Sequence, residues 1–401
     1  MPNNFNKKNK ITLELRFLIA CCQAEPTEDN IEFILQYIAE NSYEDLQKLI
    51  PLAFYHGVLP LVYKSTKNLP STLYPLPSFI SELKSHYQSI AKKNMLMSAE
   101  LIQIIKLLKE NNIEVLAFKG PALSKIAYSD ITLRQFGDLD ILVKKEDFKF
   151  LADKLLEKKF IPLFPIETFH EDKVMFEMNN DCPFYNRQRG IAIEIHWDFF
   201  RKLALPTKKF TPWEDTHSIT INGSTIKTLS HETHLLYHSL HGAKHIWERL
   251  EWIVDIDRFI RSVPDLNWDR LLTMSKEMGA QKMFLSGIAL SEKYFHTPLP
   301  KHITLLCKEV KLESFITYVE SELNTLSPKS EESLTKLSKI IGLRDNIYYK
   351  TVTILEFLFR PGINERRTVI LSNRWFWLYW FLRPIGMLWR FIFCKTMKLC
   401  R

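Results

Sequence analysis

The sequence predicts an α+β protein, a mixed sheet core flanked by helical regions on its N- and C-terminal sides. Three observations predict it. Apolar residues recur at helical spacing through roughly the first hundred positions. Between Val115 and Leu229 short apolar runs alternate with turn signals. From Ser230 the helical period returns and continues to about Lys350.

The helical preface reads as Ile11–Cys22, Asn30–Ile38, Tyr43–Phe54 and a long Ser78–Lys109, punctuated by Pro51, Pro60, Pro70, Pro75 and Pro77 and stopped by Asn111-Asn112. Strands are expected at Val115–Phe118, Leu139–Val143, Lys173–Met178, Cys182–Asn186 and Ile191–Trp197, with an amphipathic helix at Glu146–Lys158. Ser218–Ile221 and Thr225–Leu229 flank Asn222-Gly223, a strong hairpin signal. Ser230 is an N-cap for the helix that follows. The expected units are a helical region 1–95, an α/β core 96–229, a helical domain 230–350 and a tail 351–401.

The net charge of +8 is concentrated. Residues 360–401 carry nine Lys and Arg against the single acid Glu365, so the body is neutral and nucleic acid is not indicated as its partner. Gly is scarce at 11 residues, which weakens any fold built on several Gly-rich phosphate loops. The six cysteines form no C-x-x-C and no secretory signal opens the chain, so reduced thiols and a cytoplasmic location are expected.

The chemistry concentrates in Val115–Gly120 and Leu133–Val143. Asp138 and Asp140 open an apolar strand two residues apart, so both carboxylates project to one face. Such a pair repels itself unless a cation intervenes, and oxygen donors suit Mg²⁺ or Mn²⁺. In Ile191–Asp198, Glu194, His196 and Asp198 form one face and Ile193, Ile195 and Trp197 the other. If the two strands are neighbours, Glu194 completes a three-carboxylate site for two-metal phosphoryl transfer. Asp198 is the competing acid, and His196 reads as an orienting partner or core histidine. Lys119-Gly120 ends the first strand and Pro121 opens a helix, a strand–turn–helix start that suits an anion. Lys119, Ser124 and Arg134 are the nearby phosphate candidates, Arg134 having a second reading as an ion-pair partner of Asp138.

These residues carry a resemblance. Phe118-Lys119-Gly120-Pro121-Ala122-Leu123, Tyr128 and Leu133–Val143 resemble the L-K-G-x-A-L, Y and L-R-x-x-G-D-x-D-x-L-V signature of a bacterial uncharacterised nucleotidyltransferase family, within the DNA polymerase β type superfamily. Glu194, His196 and Trp197 match its E-x-H-W strand, and His241–Asp255 and Ala53–Leu61 also fit, so the likeness spans roughly residues 40–330. It implies a polymerase β-like core, an NTP as substrate, Mg²⁺ or Mn²⁺, and transfer of a nucleoside monophosphate to an unidentified hydroxyl or phosphate acceptor. Asp138, Asp140 and Glu194 are then the metal-binding and catalytic residues. Lys119, Gly120, Ser124, Arg134, His241, His245 and Arg249 are assigned to the nucleotide. One departure stands out: the superfamily's Gly-Ser after the first strand is Gly120-Pro121 here, with Ser124 one turn on as substitute. It gives weight to a rival reading, a non-catalytic binding or scaffold protein that keeps the fold.

Other D-x-D chemistries fit less well. A dehalogenase-type motif needs a buried strand before it, where Leu133–Gly137 is poor, and a sugar-nucleotide transferase needs a preceding α/β domain, where this chain has helices. His231, His234, His238, His241 and His245 line one helix face; zinc is the lesser reading, and a face turned to the cleft the preferred one. Trp247 and Trp252 are expected as core anchors. The tail holds four of the nine Trp, and its uncharged run Trp375–Leu382 is too short to span a bilayer. Aromatic and basic residues together fit either peripheral contact with an anionic membrane surface or packing on the body.

Overall fold

A computed structural model of the chain describes residues 11–70, 72, 75–163, 176, 179–199, 205, 211–325, 334–362, 365 and 368–398. Five short helices come first: α1 (Leu13–Cys21), α2 (Glu28–Glu40), α3 (Tyr43–Gln47), α4 (Leu49–Tyr55) and α5 (Leu59–Thr66). The single helix expected over Tyr43–Phe54 is thus two. Pro51 is the cause: its ring would collide with the carbonyl four residues back, at Gln47, where α3 ends.

Helix α6 (Leu76–Glu110) is 35 residues long and ends at Asn111, with Asn112 left-handed at φ 56°. Its first half buries Leu76, Phe79, Leu83 and Ile90 in a helical core; its second half buries Met97, Leu101, Ile104 and Leu108 against the sheet. The division drawn at 95/96 therefore falls inside one continuous helix, where it passes from one core to the other.

The central sheet follows. It comprises β1 (Val115–Ala117), β2 (Asp138–Val143), β3 (Ile161–Pro162), β4 (Asp181–Asn186) and β5 (Ile191–His196), in the order β1-β2-β5-β4-β3. Only β2 and β5 are parallel, so the sheet is mixed. Helices α7 (Gly120–Tyr128) and α8 (Phe148–Glu157) connect its first strands. Of the strand expected at Lys173–Met178 only Phe176 lies among the described residues, and it is helical. It packs edge-on to Trp197, with ring centroids 4.8 Å apart. A separate hairpin, β6 (Thr216–Ile221) and β7 (Ser224–Leu229), turns at Asn222-Gly223, both at positive φ as a two-residue turn requires.

Ser230 caps α9 (His231–Lys244), its hydroxyl accepting from the Thr233 N–H at 3.3 Å. Then come α10 (Leu250–Ser262), α11 (Trp268–Glu277), α12 (Gln281–Phe295), α13 (Lys301–Glu309), α14 (Glu313–Leu323), α15 (Leu334–Gly342) and α16 (Ile347–Phe359). Residues of α1–α5 and of α9–α14 share one apolar core, so the N- and C-terminal helical regions are packed together beside the sheet. Trp247 anchors it as expected. It is fully buried and donates to Ser286 Oγ at 3.0 Å, and it lies so close to Gly242 and Gly287 that a Cβ on either would come within 2.6 Å of its ring. Trp252 is only partly buried. The last helix, α17 (Tyr379–Lys398), runs through Pro384.

Candidate active site

The parallel pairing of β2 and β5 sets Asp140 directly opposite Glu194 and Leu142 opposite His196. Alternation then gives Asp138, Asp140, Glu194 and His196 one common face. Leu139, Ile141, Val143, Ile193, Ile195 and Trp197 fill the core on the other. The condition set by the sequence, two acid strands side by side with carboxylates on the same face, is met. Among the described residues Asp140, Glu194 and His196 can each offer one ligand atom within 4.8 Å of the others. Asp138 is not in that group, and Asp198 turns its Oδ1 to the Phe199 N–H at 2.8 Å.

Asp140 is the centre of the cluster. It is 2% exposed, its Oδ1 accepts from Lys119 Nζ at 3.1 Å, and His196 Nε2 lies 3.0 Å from the same oxygen. Its Oδ2 is buried without a partner. Burial works to raise Asp140, but the charges and hydrogen bonds of Lys119 and His196 outweigh it and keep the carboxyl low. Asp138, half-buried, is pushed up to about 6 by burial and by the charge of Asp140. Burial would discharge Lys119 and His196, yet the carboxylates win: Lys119 is raised and His196 is carried up to about 9 by Asp140 and Glu194. His196 Nε2 is also 3.5 Å from Glu194 Oε2. The site is therefore a compact pairing of carboxylates with two cations of the chain's own.

Gly120 makes the bend. Its φ is +50°, and a Cβ there would stand 3.1 Å from the Asp138 carbonyl oxygen. Only glycine lets the chain leave β1, pass over the start of β2 and begin α7 in so little space. Pro121 occupies the first turn of α7, as expected.

The other assigned residues separate. Lys119 is held by Asp140. Ser124 is completely buried and its hydroxyl has no hydrogen-bond partner, so it presents nothing to a phosphate in this arrangement. Arg134 is 7% exposed, and its Nε and a terminal nitrogen grip Asp255 at 2.9–3.1 Å; its ion-pair partner is Asp255 rather than Asp138. Tyr128 joins the same carboxylate at 2.8 Å, so this trio ties α7 and the loop before β2 to α10. His241 stacks on Tyr237 with centroids 5.9 Å apart, and both His241 and His245 meet Trp252. Burial drives both histidines down, Lys119 adding to the effect at His241, and His245 falls to about 3. Arg249 pairs with Glu251 at 3.2 Å at the start of α10. The histidine face of α9 contains no group of three metal-ligating side chains among the described residues.

Tyr237 and Asp181 escape a linear reading, and His234 is legible only as one member of a histidine face. Tyr237 lies under Lys119, whose Nζ is 5.6 Å from its ring centroid. Its signal was the i, i+4, i+8 series Tyr237, His241, His245. His234 is fully buried and hydrogen-bonds the Phe118 carbonyl, fixing the residue before Lys119. Asp181 pairs in register with His196 across β4 and is raised by burial.

The model of a family described as "Uncharacterised nucleotidyltransferase" matches residues 42–296, well over half of the chain. None of the curated proteins matches it. Among solved structures, an antigenic nucleotidyltransferase-like protein from Paracoccidioides brasiliensis is similar at 16% identity and a TM-score of 0.33, over 56% of this chain and 91% of that one.

Proposed function

Because the chain belongs to the uncharacterised nucleotidyltransferase family, we propose that it moves a nucleoside monophosphate from an NTP to an unidentified hydroxyl or phosphate acceptor, with release of pyrophosphate. One observation carries the reading: Asp140 and Glu194 face each other across a parallel strand pair while Asp140 keeps a buried oxygen with no partner. Carboxylate oxygens are the donors that Mg²⁺ or Mn²⁺ prefer, so the residues fit the ion. Asp140 and Glu194 would hold it, with Asp138 at the strand entrance. Such an ion, when bound, supplies charge neutralisation at the phosphates of the nucleotide.

The chain's own groups have separate tasks. Lys119 and His196 keep Asp140 ionised in a buried setting. Gly120 keeps the backbone at the head of α7 close to the carboxylates. Glu194, with its side chain 32% exposed, is the carboxylate open to an incoming acceptor and the group that receives its proton. The acceptor oxygen bonds to the α-phosphorus, the bridging bond to the β-phosphate breaks, and pyrophosphate departs with that electron pair. Rate comes from positioning and from charge placed in advance.

Pyrophosphate release from each NTP in Mg²⁺, with EDTA as control, tests the reading; Asp138→Ala turning over as fast as wild type would overturn the site. A second reading, binding without turnover, is favoured by Pro121 in place of a serine and by the burial of Ser124. An NTP with Mg²⁺ raises the melting temperature in both cases, but only the enzyme releases pyrophosphate.

A further inference from the structure

The described residues contain no helix long and apolar enough to cross a membrane, yet α17 has an outward face that is not a protein surface of the usual kind. Its inner face is fastened. Tyr379 is completely buried, its hydroxyl accepting from the Leu371 N–H at 2.9 Å and donating to the Val369 carbonyl at 2.8 Å. Arg383, also buried, meets Glu365 at 3.2 Å. These anchors fix which side of the helix looks out. On that side Phe381, Ile385, Leu388 and Trp389 follow at i, i+4, i+7 and i+8, each 61–62% exposed. Trp375 and Trp377 extend the stripe from the preceding turn, with the Trp377 and Phe381 rings 6.0 Å apart.

Charge selects the occupant. Residues 360–401 hold nine basic side chains and one acid, Glu365; among the described side chains Arg360 and Arg383 are buried in ion pairs with Glu356 and Glu365, and Arg374 is exposed. That acid is 6% exposed and engaged by Arg383, so the described part of the tail shows solvent no carboxylate. We propose that α17 and the turn before it lie in the surface of an anionic phospholipid bilayer, aromatic and aliphatic side chains in the acyl boundary and Arg374, with the basic charge of the tail that is not held in ion pairs, at the headgroups. An amphipathic helix with a basic complement holds to a bilayer by these two signals together. A second copy of the chain fits the stripe poorly, because it would bring two tails of the same sign together. RNA would leave Ile385 and Leu388 without a role. The inference is independent of nucleotidyl transfer.

The test is sedimentation of the full chain with vesicles of phosphatidylcholine alone and of phosphatidylcholine mixed with phosphatidylglycerol. Expected is preference for the anionic vesicles by about tenfold or more, falling with added salt. Phe381→Asp with Ile385→Asp should abolish it at unchanged melting temperature and unchanged pyrophosphate release. Arg374→Glu, at an exposed position, should weaken it partially. Sedimentation with neither vesicle, equal sedimentation by the double variant, a dimer that forms through the stripe without lipid, or RNA binding that the double variant loses would each overturn the proposal.

Discussion

The two faces of the β2–β5 pair are built from the same six-residue strands and differ in almost everything else. One face, Leu139, Ile141, Val143, Ile193 and Ile195, is closed against α6 and α8 and contains no polar side chain. The other carries Asp138, Asp140, Glu194 and His196, with Lys119 laid across them. The apolar face gains from every group it buries. The polar face gathers three carboxylates, that of Glu194 partly exposed, with a lysine and a histidine, and leaves the buried Asp140 Oδ2 unmatched. A fold alone would not retain that arrangement, since apolar residues of similar size would serve it as well or better. If the proposed site is right, function belongs to one face and stability to the other, and substitutions should separate accordingly.

Asp140→Asn should have the largest effect, because it acts on both. It removes a carboxylate from the proposed metal-binding set and leaves Lys119 and His196 buried beside a neutral group, at a cost of about 3–5 kcal/mol in stability. Pyrophosphate release and urea denaturation should both register it; a variant as stable as wild type would show that the charges are not interdependent. Glu194→Gln is the sharper cut. Its side chain is partly exposed, so folding should be unchanged while turnover drops about 10²–10³-fold. Ile193→Ala, on the opposite face of the same strand, should reverse the pattern: a loss of about 2–5 kcal/mol in denaturation with turnover of the folded fraction retained.

The sequence showed this division in advance because alternation is a local property. Asp138 and Asp140, and Glu194 and His196, had to share faces once each segment was a strand. That the two strands are parallel neighbours was not local, and neither was the fate of the cations. Lys119 and Arg134 have the same formal charge, and Arg134 is much the nearer to the D-x-D in sequence, yet it is Lys119 that pairs with Asp140, while Arg134 pairs with Asp255, more than a hundred positions away. Nothing in the spacing of Leu133–Gly137 distinguishes them. Ser124 was placed correctly one turn into α7, but its direction depends on how α7 packs against α10. The break between α3 and α4 was legible in principle, since Pro51 marks it four residues ahead.

Histidines sharpen the comparison further. His196, among carboxylates, is raised to about 9, whereas burial brings His56 and His234 down to about 4. A histidine depressed below its unfolded value of about 6.5 favours the native state while neutral, and that contribution is present above pH 6.5 or so and lost as pH falls toward 4. His56 Nδ1 accepts from the Leu250 N–H at 3.2 Å and its Nε2 lies 3.0 Å from the Leu323 carbonyl, so protonation would break the first contact. Melting temperature should decline from about pH 7 to about pH 4.5, and His56→Gln, which keeps an acceptor and a donor, should make the decline shallower. Equal slopes for the two proteins would mean that the histidine takes no part in the acid response.

The smallest effect is expected at the junction of the two faces. Gly120 lies where β1 gives way to α7, at φ +50°, with the Asp138 carbonyl against the position a Cβ would take. Gly120→Ala adds one methyl and forces an L-residue into the left-handed region, about 1–2 kcal/mol. The 3.1 Å approach must then open by a few tenths of an ångström. The oxygen concerned is backbone, so it cannot rotate away as a side chain would, and the movement passes to β2 at Asp138. Stability should fall modestly while the metal requirement changes more, with a higher Mg²⁺ concentration needed for half-maximal pyrophosphate release. A stability loss with no change in that concentration would make Gly120 a folding residue only. A shift in it would show that the bend sets the distance between the head of α7 and the carboxylates.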